Sequence, residues 1–496
     1  MVDSASHLAE PPLSVDLVVA PSRFSIAYRL CKLCSPAVAA DIALVINAAA
    51  IMLLAVVTQA AYYSFVLEST AQLDDYTVIG LAVGLIYFLA ARFVFTLRFE
   101  ELQFGLDSGA QSVKALLIAG TIFLAAGFLT KTTEVHSRGW FIAWLVSSGL
   151  ALMLLHVGVA RLFERAIRLP GSPYRRRVAV FGSFDLVGAF AAYVAARRDF
   201  RTNLVHEATL PPDVADPVFQ LAVDHFVDHC RTEPVNEIVI ALPGADDGRV
   251  LRAVRAFSAL PVDVRLAPDN AGFALAASQL LGGASLPLVT VSERPIRDWG
   301  KLLKELFDRM GAAAILLFVA PLLAVVAIAI KFDSPGPIFF RQQRNGFNHS
   351  TFAMWKFRSM THAADPPDGP YRQATRNDPR ITRVGAILRR TSIDELPQLI
   401  NVLKGEMSLV GPRPHPVALD DQYMKLIDQY ASRHAVLPGI TGWAQVNGYR
   451  GETDTESKMA GRIAHDMQYI RNWSLKLDFW ILALTVIRGF VNKNAY

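Results

Sequence analysis

Long apolar runs dominate the first third of the chain. Residues 42–65, 76–97, 113–130 and 140–163 are apolar over about 18–24 positions each. At 1.5 Å per residue, each is long enough to cross a hydrocarbon layer roughly 30 Å thick. Short polar loops separate them, and four such runs in succession predict membrane-crossing helices rather than buried core helices. After residue 170 the pattern changes. Arg177-Val-Ala-Val-Phe-Gly-Ser183 reads as a strand leading into a glycine turn, and further short apolar runs follow at 237–242, 262–266 and 286–291. Helical patterns at 187–196 and 248–260 lie between them, and this alternation predicts a small α/β domain with a parallel sheet. A fifth long apolar run, 310–330, carries Pro321 in its middle.

Charge orients these segments. Arg23, Arg29 and Lys32 precede the first run, whereas the first loop holds Glu68, Asp74 and Asp75 and no basic residue. Arg92, Arg98 and Lys114 flank the second loop, and Lys131, Glu134 and Arg138 make the third one mixed. Arg161, Arg165, Arg168 and Arg175 to Arg177 follow the fourth run. Both the N-terminus and everything after residue 170 are therefore expected in the cytoplasm. The fifth run is basic on both flanks, with Lys301, Lys304 and Arg309 before it and Lys331, Arg341 and Arg344 after it. Interior proline removes one helix hydrogen bond and clashes with the preceding turn. A helix over 306–332 that breaks at Pro321 and re-enters the same face satisfies both observations. The alternative, a kinked span, would strand the rest of the chain outside.

Composition agrees. Of 496 residues, 52% are hydrophobic and only 19% charged, against roughly 25% charged in soluble domains, and the mean hydropathy is +0.31. The net charge of +5 is too mild to point to nucleic acid and suits loops facing anionic lipid. Cys31, Cys34 and Cys230 cannot build a disulfide framework, and the lone Cys31-x-x-Cys34 pair has no partner ligands for zinc. The first 35 residues lack a signal-peptide pattern. Gly182 and Gly188 form an incomplete dinucleotide fingerprint, which leaves open a nucleotide or regulatory ligand and a scaffold without one.

Beyond Ser334 the loops fill with Arg, Gly, Pro and Asp, as phosphate handling requires. In Arg389-Arg-Thr-Ser-Ile-Asp394-Glu395-Leu-Pro397-Gln-Leu-Ile-Asn-Val-Leu403-Lys-Gly405, the apolar residues Leu396, Leu399, Ile400 and Leu403 recur at helical spacing. Ser392 and Glu395 fit a capping box. Pro397 fits better as the first helical residue, which would set Asp394 and Glu395 before a helix N-terminus whose free amides favour phosphate. Adjacent carboxylates suit phosphoryl transfer, since one can attack phosphorus and the other can hold magnesium, a hard cation that prefers oxygen. Lys356, Arg389 and Arg413, each in a turn-rich context, are the candidate pyrophosphate-binding cations.

Residues from about Lys301 to Tyr496 closely resemble the bacterial sugar transferase family, the polyprenyl-phosphate hexose-1-phosphate transferases. The resemblance rests on Asp333-Ser-Pro-Gly-Pro337, Lys356-Phe-Arg-Ser-Met360, Asn377-Asp-Pro-Arg380, the 389–399 segment, Gly411-Pro-Arg-Pro414 and Pro438-Gly-Ile-Thr-Gly-Trp-Ala-Gln-Val-Asn447, in that order. The front half looks like the large form of the family. The tail, from Gly451-Glu-Thr-Asp454 to Asn492-Lys-Asn-Ala-Tyr496, looks like the undecaprenyl-phosphate glucose phosphotransferases that start colanic-acid or xanthan-type exopolysaccharide.

The resemblance implies transfer of glucose-1-phosphate from UDP-glucose to undecaprenyl phosphate, with galactose-1-phosphate or an N-acetylhexosamine-1-phosphate as alternative cargo. It implies Asp394 as nucleophile, Glu395 as ligand to Mg2+, and Arg389 and Arg413, with Lys356, as phosphate-binding residues. It also implies a homodimer in the bacterial inner membrane with a cytoplasmic catalytic domain and no nucleic-acid partner. His415 stands where many relatives carry Glu or an apolar residue, a departure expected to bear on sugar choice. The rival readings are a catalytically dead, nucleotide-sensing membrane scaffold, against which the intact Asp394–Glu395 pair speaks, and a transporter, for which the four runs lack central charges. The expected architecture is a tail (1–40), a multi-pass α-helical membrane domain (41–168), a cytoplasmic α/β Rossmann-like domain (174–292) and a mainly α catalytic domain (300–496) with the re-entrant helix. Residues 475–490, with Trp480 inside and Trp473 just ahead, read as a further interfacial helix or a packed core helix.

Overall fold

The computed structural model describes residues 35–66, 73–94, 105–131, 137–168, 172, 174–196, 202–211, 214–233, 235–243, 247–268, 288–361, 378–427, 429–449 and 455–489. Cys31, Cys34, the basic residues ahead of the first run, Glu68, Arg98, Glu134, Asn377, Gly451 to Asp454 and Asn492 to Tyr496 lie outside them.

Four helices come first: α1 (Pro36–Phe65), α2 (Leu73–Phe93), α3 (Gly105–Leu129) and α4 (Arg138–Arg168). α1 packs on α2 and α4, and α3 packs on α2 and α4, which closes a four-helix bundle. All four are long and apolar enough to cross a membrane, and the protein is a membrane protein. Trp140 and Trp144 stack in the core, 5.2 Å apart, and their indole N–H groups donate to the carbonyls of Ala55 (3.3 Å) and Ile51 (2.9 Å). One polar knot joins all four helices. Asn47 Nδ2 donates to Tyr87 Oη (3.0 Å) and lies 2.9 Å from His156 Nε2, whose ring also meets Ser112 Oγ and Ser108 Oγ, each at 2.9 Å. Every member is buried. An unpaired polar group is costly in an apolar medium, so mutual hydrogen bonding is the way such a set persists.

The α/β region contains β1 (Arg176–Ser183), α5 (Phe184–Ala196), β2 (Thr202–Leu210), α6 (Asp216–Thr232), β3 (Glu237–Ala241), α7 (Asp247–Phe257), β4 (Asp263–Leu266) and β5 (Val289–Ser292). The strand order is β2-β1-β3-β4-β5, parallel through β4, with β5 antiparallel at the edge. β3 is buried at every position, as a central parallel strand covered on both faces must be. β2 and α6 escape the sequence pattern: β2, at a sheet edge, sets Leu204-Val205 beside His206-Glu207 instead of alternating, and α6 buries one stripe, Phe219, Val223, Phe226, Val227 and Cys230, among charged and polar residues. A Cβ at Gly182 would collide with the carbonyl of Ala241 on β3, so that glycine serves strand packing.

The remaining elements are α8 (Asp298–Asp333), β6 (Phe339–Asn345), β7 (Thr351–Phe357), α9 (Arg383–Thr391), α10 (Gln398–Lys404), β8 (Ser408–Val410), α11 (Val417–Tyr423), β9 (Gly439–Thr441), α12 (Trp443–Val446), α13 (Glu456–Arg471) and α14 (Leu475–Gly489). β6 and β7 form an antiparallel hairpin, and β8 pairs in parallel with β9.

The helix expected to break at Pro321 does not: α8 is one continuous helix of 36 residues with Pro321 inside it. Proline deletes a single hydrogen bond, and the neighbouring ones keep the helix together. Residues on both sides of Pro321 pack on the same domain. Ala312, Phe307 and Leu316 join a core with Leu399, Val402 and Leu409, while Val326 and Ile330 join Phe357 and Leu388. Around the proline, Leu317 is 80% and Phe318 87% exposed. The start of α8 is bound to the start of α1, through Ser35 Oγ to Asp298 Oδ1 (2.6 Å) and Trp299 Nε1 to Asp41 Oδ2 (2.8 Å). α14 buries Ile481 and Asp478 and exposes Phe479, Trp480, Val486 and Ile487, so it is packed on one face and apolar on the other.

Candidate active site

Local chain chemistry brings the dyad into place. α9 is capped twice at its start: Thr382 Oγ1 accepts from Gly385 N (3.0 Å) and Asp333 Oδ2 from Val384 N (3.1 Å). The second bond ties α9 to the end of α8. Arg358, buried, closes that same end by donating to the carbonyls of Ile330 (3.3 Å), Ser334 (2.6 Å) and Pro335 (2.9 Å), groups a helix terminus leaves unpaired. α9 stops at Ser392, held left-handed at φ 59°, a conformation that costs a non-glycine residue roughly 1–3 kcal/mol. The reversal throws Ile393, Asp394 and Glu395 into one tight 3-10 turn ahead of Pro397 and α10. Asn401 of α10 then locks onto β7. Its Oδ1 accepts from Trp355 N (3.0 Å), and its Nδ2 donates to Ala353 O (2.8 Å) and Glu406 Oε2 (2.6 Å). The residue after Trp355 is Lys356.

This brings all five polar candidates together and divides them unequally. Glu395 is clamped: Arg413 Nη1 donates to its Oε2 at 3.0 Å, Arg413 Nη2 donates to its Oε1, and Lys356 Nζ donates to Oε1 at 3.0 Å. A two-pronged guanidinium–carboxylate pair is among the strongest charge-assisted contacts. Asp394, one residue away, accepts no hydrogen bond among the described residues. Burial would raise Glu395, but Arg413 and Lys356 outweigh it and hold Glu395 well below the usual carboxylate range. Burial, together with the Glu395 charge, pushes Asp394 up to about 6, with Lys356, Arg389 and Arg413 opposing. Arg389, in the last turn of α9, has no ion-pair or hydrogen-bond partner for its guanidinium among the described residues. Of the three expected phosphate-binding cations, two are thus engaged with Glu395 and one is free.

Two expectations change. No capping box forms: Ser392 makes no side-chain cap bond, and the Glu395 carboxylate is turned to Arg413 and Lys356. The helix N-terminus has little to offer phosphate either. The amides of Glu395, Leu396, Leu399 and Ile400 already donate to the carbonyls of Ser392, Ile393, Leu396 and Pro397, at 3.0–3.2 Å. Anion binding therefore falls to side chains. No cluster of three acidic, His or Cys residues occurs among the described residues. The donor set still fits magnesium, which takes one or two carboxylates and keeps water and substrate phosphates in its shell, because Glu395 Oε2 has a single partner and a lone pair to spare.

His415 is only 3% exposed. Tyr430 Oη lies 2.6 Å and Arg433 Nη1 2.7 Å from its Nδ1, and Arg462 Nη1 lies 3.1 Å from its Nε2. Both ring nitrogens are occupied inside the domain, so His415 has none left to read a sugar. Burial and the surrounding Arg433, Arg462, Arg344 and Arg413 hold the ring well below the usual histidine range, neutral. Sequence reasoning missed Asn401, Arg358 and Arg433. The first two sit inside motifs already singled out, but most of their partners are main-chain atoms brought close only by folding.

Residues 299–492 match the family model described as bacterial sugar transferase, and residues 106–268 match one described as a CoA-binding domain. The chain is 37% identical over 383 residues to the UDP-glucose:undecaprenyl-phosphate glucose-1-phosphate transferase of Xanthomonas campestris pv. campestris, covering 76% of this chain and 78% of that protein. It is 43% identical over 390 residues to the protein of the same name from Klebsiella pneumoniae, covering 78% and 81%. It is 46% identical over 274 residues to that of Escherichia coli (strain K12), covering 55% of this chain and 59% of that protein. With its membrane helices, α/β region and carboxylate-bearing catalytic domain, the chain belongs to the bacterial sugar transferase family and is a transferase.

Proposed function

We propose that this protein transfers glucose-1-phosphate from UDP-glucose to undecaprenyl phosphate, giving UMP and undecaprenyl diphosphate glucose, the first membrane step of exopolysaccharide assembly. The observation that carries the mechanism is the asymmetry of the dyad: Glu395 is locked by Arg413 and Lys356, and Asp394 stands open beside it. An Asp394 carboxylate oxygen attacks the sugar-linked phosphorus of UDP-glucose, and the phosphoanhydride to UMP breaks. A phosphate oxygen of undecaprenyl phosphate then attacks the same phosphorus and releases the Asp394 carboxylate. One phosphoanhydride is broken and one is made, so catalysis reduces to positioning and charge stabilisation. Arg389, uncommitted, meets the incoming pyrophosphate. Lys356 and Arg413 fix Glu395, and their remaining N–H groups face the same charge. Magnesium, held by Glu395 with substrate oxygens, would supply further neutralisation of the pyrophosphate.

The site faces the cytoplasm of the bacterial inner membrane, where UDP-sugars are found, and α8 sets its exposed apolar residues around Pro321, Leu317 and Phe318, in the bilayer. This orientation is supported by the basic flanks of α8, by the packing of both its halves on one domain, and by the bonds between the starts of α1 and α8. The exposed apolar face of α14 suits the same interface. The test is UMP release from purified protein in nanodiscs with magnesium, undecaprenyl phosphate and UDP-glucose, UDP-galactose or UDP-N-acetylhexosamines. Lipid-dependent release with UDP-glucose is expected. Release with another donor alone changes the cargo, and UDP binding without any release points to the scaffold.

A further inference from the structure

The loop carrying Arg413 has an unusual problem of support. Pro412 and Pro414 flank Arg413, and neither has an amide hydrogen, so its carbonyls are the main handles. Pro412 O accepts from Gly439 N at 2.9 Å. Pro414 O accepts from Arg344 Nη1 at 3.4 Å. The Arg413 carbonyl accepts from Arg433 Nη2 at 2.5 Å, and the same nitrogen pairs with Asp466 Oδ2 at 3.0 Å. Arg433 is 3% exposed and lies over the Tyr430 ring, 5.3 Å from its centroid. Tyr430 in turn donates to the buried Asp420 at 2.5 Å. The Arg413 guanidinium itself bonds only Glu395 among the described residues, so its place depends on where the main chain of Arg413 is held.

We propose that Arg433 is a positioning residue for the transfer reaction: braced by Asp466, it holds the Arg413 carbonyl and thereby aims the Arg413 guanidinium at Glu395 beside the nucleophile. The inference rests on the reading of Asp394 and Glu395 as the reaction centre. A guanidinium serves here because its planar fork spans Asp466, the carbonyl and the His415–Tyr430 pair together, and an ammonium cannot. Arg433 lies in neither the dyad motif nor the Gly-Pro-Arg-Pro run, and it meets Arg413 only through the fold.

The test compares Arg433→Lys with Arg462→Lys. Arg462 belongs to the same buried network but bonds the Tyr449 carbonyl and His415, not the main chain of Arg413. For Arg433→Lys, kcat is expected to fall 10- to 100-fold with KM for UDP-glucose changed less than about threefold. Arg462→Lys should lose thermal stability to a similar degree and keep the wild-type kcat. Should Arg433→Lys fail to fold, Asp466→Asn, which removes only the brace, should lower kcat by less, again with KM little changed. A folded Arg433→Lys protein with wild-type kcat overturns the inference, as does an equal fall of kcat in Arg462→Lys. Asp394→Asn, assayed alongside, separates the two readings: if it turns over, the dyad reading falls, and if it is dead while Arg433→Lys behaves as wild type, only the positioning role falls.

Discussion

The membrane bundle and the catalytic domain each bury a polar network around a histidine, and the two are made of different groups. In the bundle, Asn47, Tyr87, Ser108, Ser112 and His156 are bound to one another across all four helices, and none carries a permanent charge. In the catalytic domain, His415 and Tyr430 lie among Arg344, Arg433 and Arg462, balanced in part by Asp420 and Asp466. The difference follows from what lies around each. A bundle facing hydrocarbon has no solvent to share the cost of charge, so short neutral side chains close on themselves. A domain that receives pyrophosphate, as the proposed reaction requires, can keep an excess of buried cations, provided each has carbonyls and carboxylates to fix it. One network holds helices together, and the other holds the main chain of Arg413, whose guanidinium pairs with Glu395.

The sharpest break in this contrast is Asp394→Asn, expected to reduce UMP release by at least about a thousandfold and to abolish covalent labelling by radiolabelled donor. The same variant should be more stable than wild type at pH 7. The folded-state value of Asp394, about 6, lies above its ordinary 3.8, so ionising it costs the folded protein stability as pH rises through that window, roughly 1–3 kcal/mol by neutral pH. A thermal-shift assay in detergent checks the sign, and a lower Tm would remove the account of Asp394 as a strained carboxylate.

Glu395→Gln comes next. Activity should fall about a hundredfold and the apparent magnesium requirement should rise, since the variant loses one carboxylate and leaves Arg413 and Lys356 without their partner. Its stability should drop at pH 7 by about 2–4 kcal/mol. The Glu395 pair stabilises the fold above the ordinary Glu value, and that contribution is lost as pH falls. A magnesium titration that superimposes on wild type would reassign the cation.

A third expectation concerns pH alone: wild-type kcat/KM should rise through pH of about 6 as Asp394 ionises, and a flat profile between pH 5 and 7 would separate activity from that group.

The smallest effect belongs to the bundle. His156→Ala should cost about 1 kcal/mol of stability and leave UMP release per folded molecule unchanged. A selective loss of turnover would make the bundle knot more than a structural tie.

Much of this was legible along the chain, because the signals were periodic. The apolar runs gave the membrane helices, the alternation gave the α/β region, and the spacing of carboxylates, prolines and arginines marked the site. Edge strand β2 escaped because it lacks a strict alternation, and helix α6 because its apolar stripe, Phe219, Val223, Phe226 and Val227, is interleaved with Gln220, Asp224, His225 and Asp228. His156 escaped because a lone histidine in an apolar run looks like any other until α1 and α3 bring Asn47, Ser108 and Ser112 to it.

What the sequence determined by itself is what local chemistry dictates: helices where apolar runs are long, a reversal near Ser392, two prolines stiffening the Arg413 loop, and a carboxylate pair kept adjacent by covalent bonds. Only the tertiary structure decided which carboxylate is clamped and which is open, and that α8 continues through Pro321 with both halves on one domain. It also decided that His415 serves Arg433 and Arg462 rather than a sugar. The clamp on Glu395 and the placing of His415 depend on groups 15 to 47 positions apart competing for hydrogen-bond partners, and the course of α8 depends on the apolar packing of both its halves. That competition is settled by packing and distance, which no local pattern encodes.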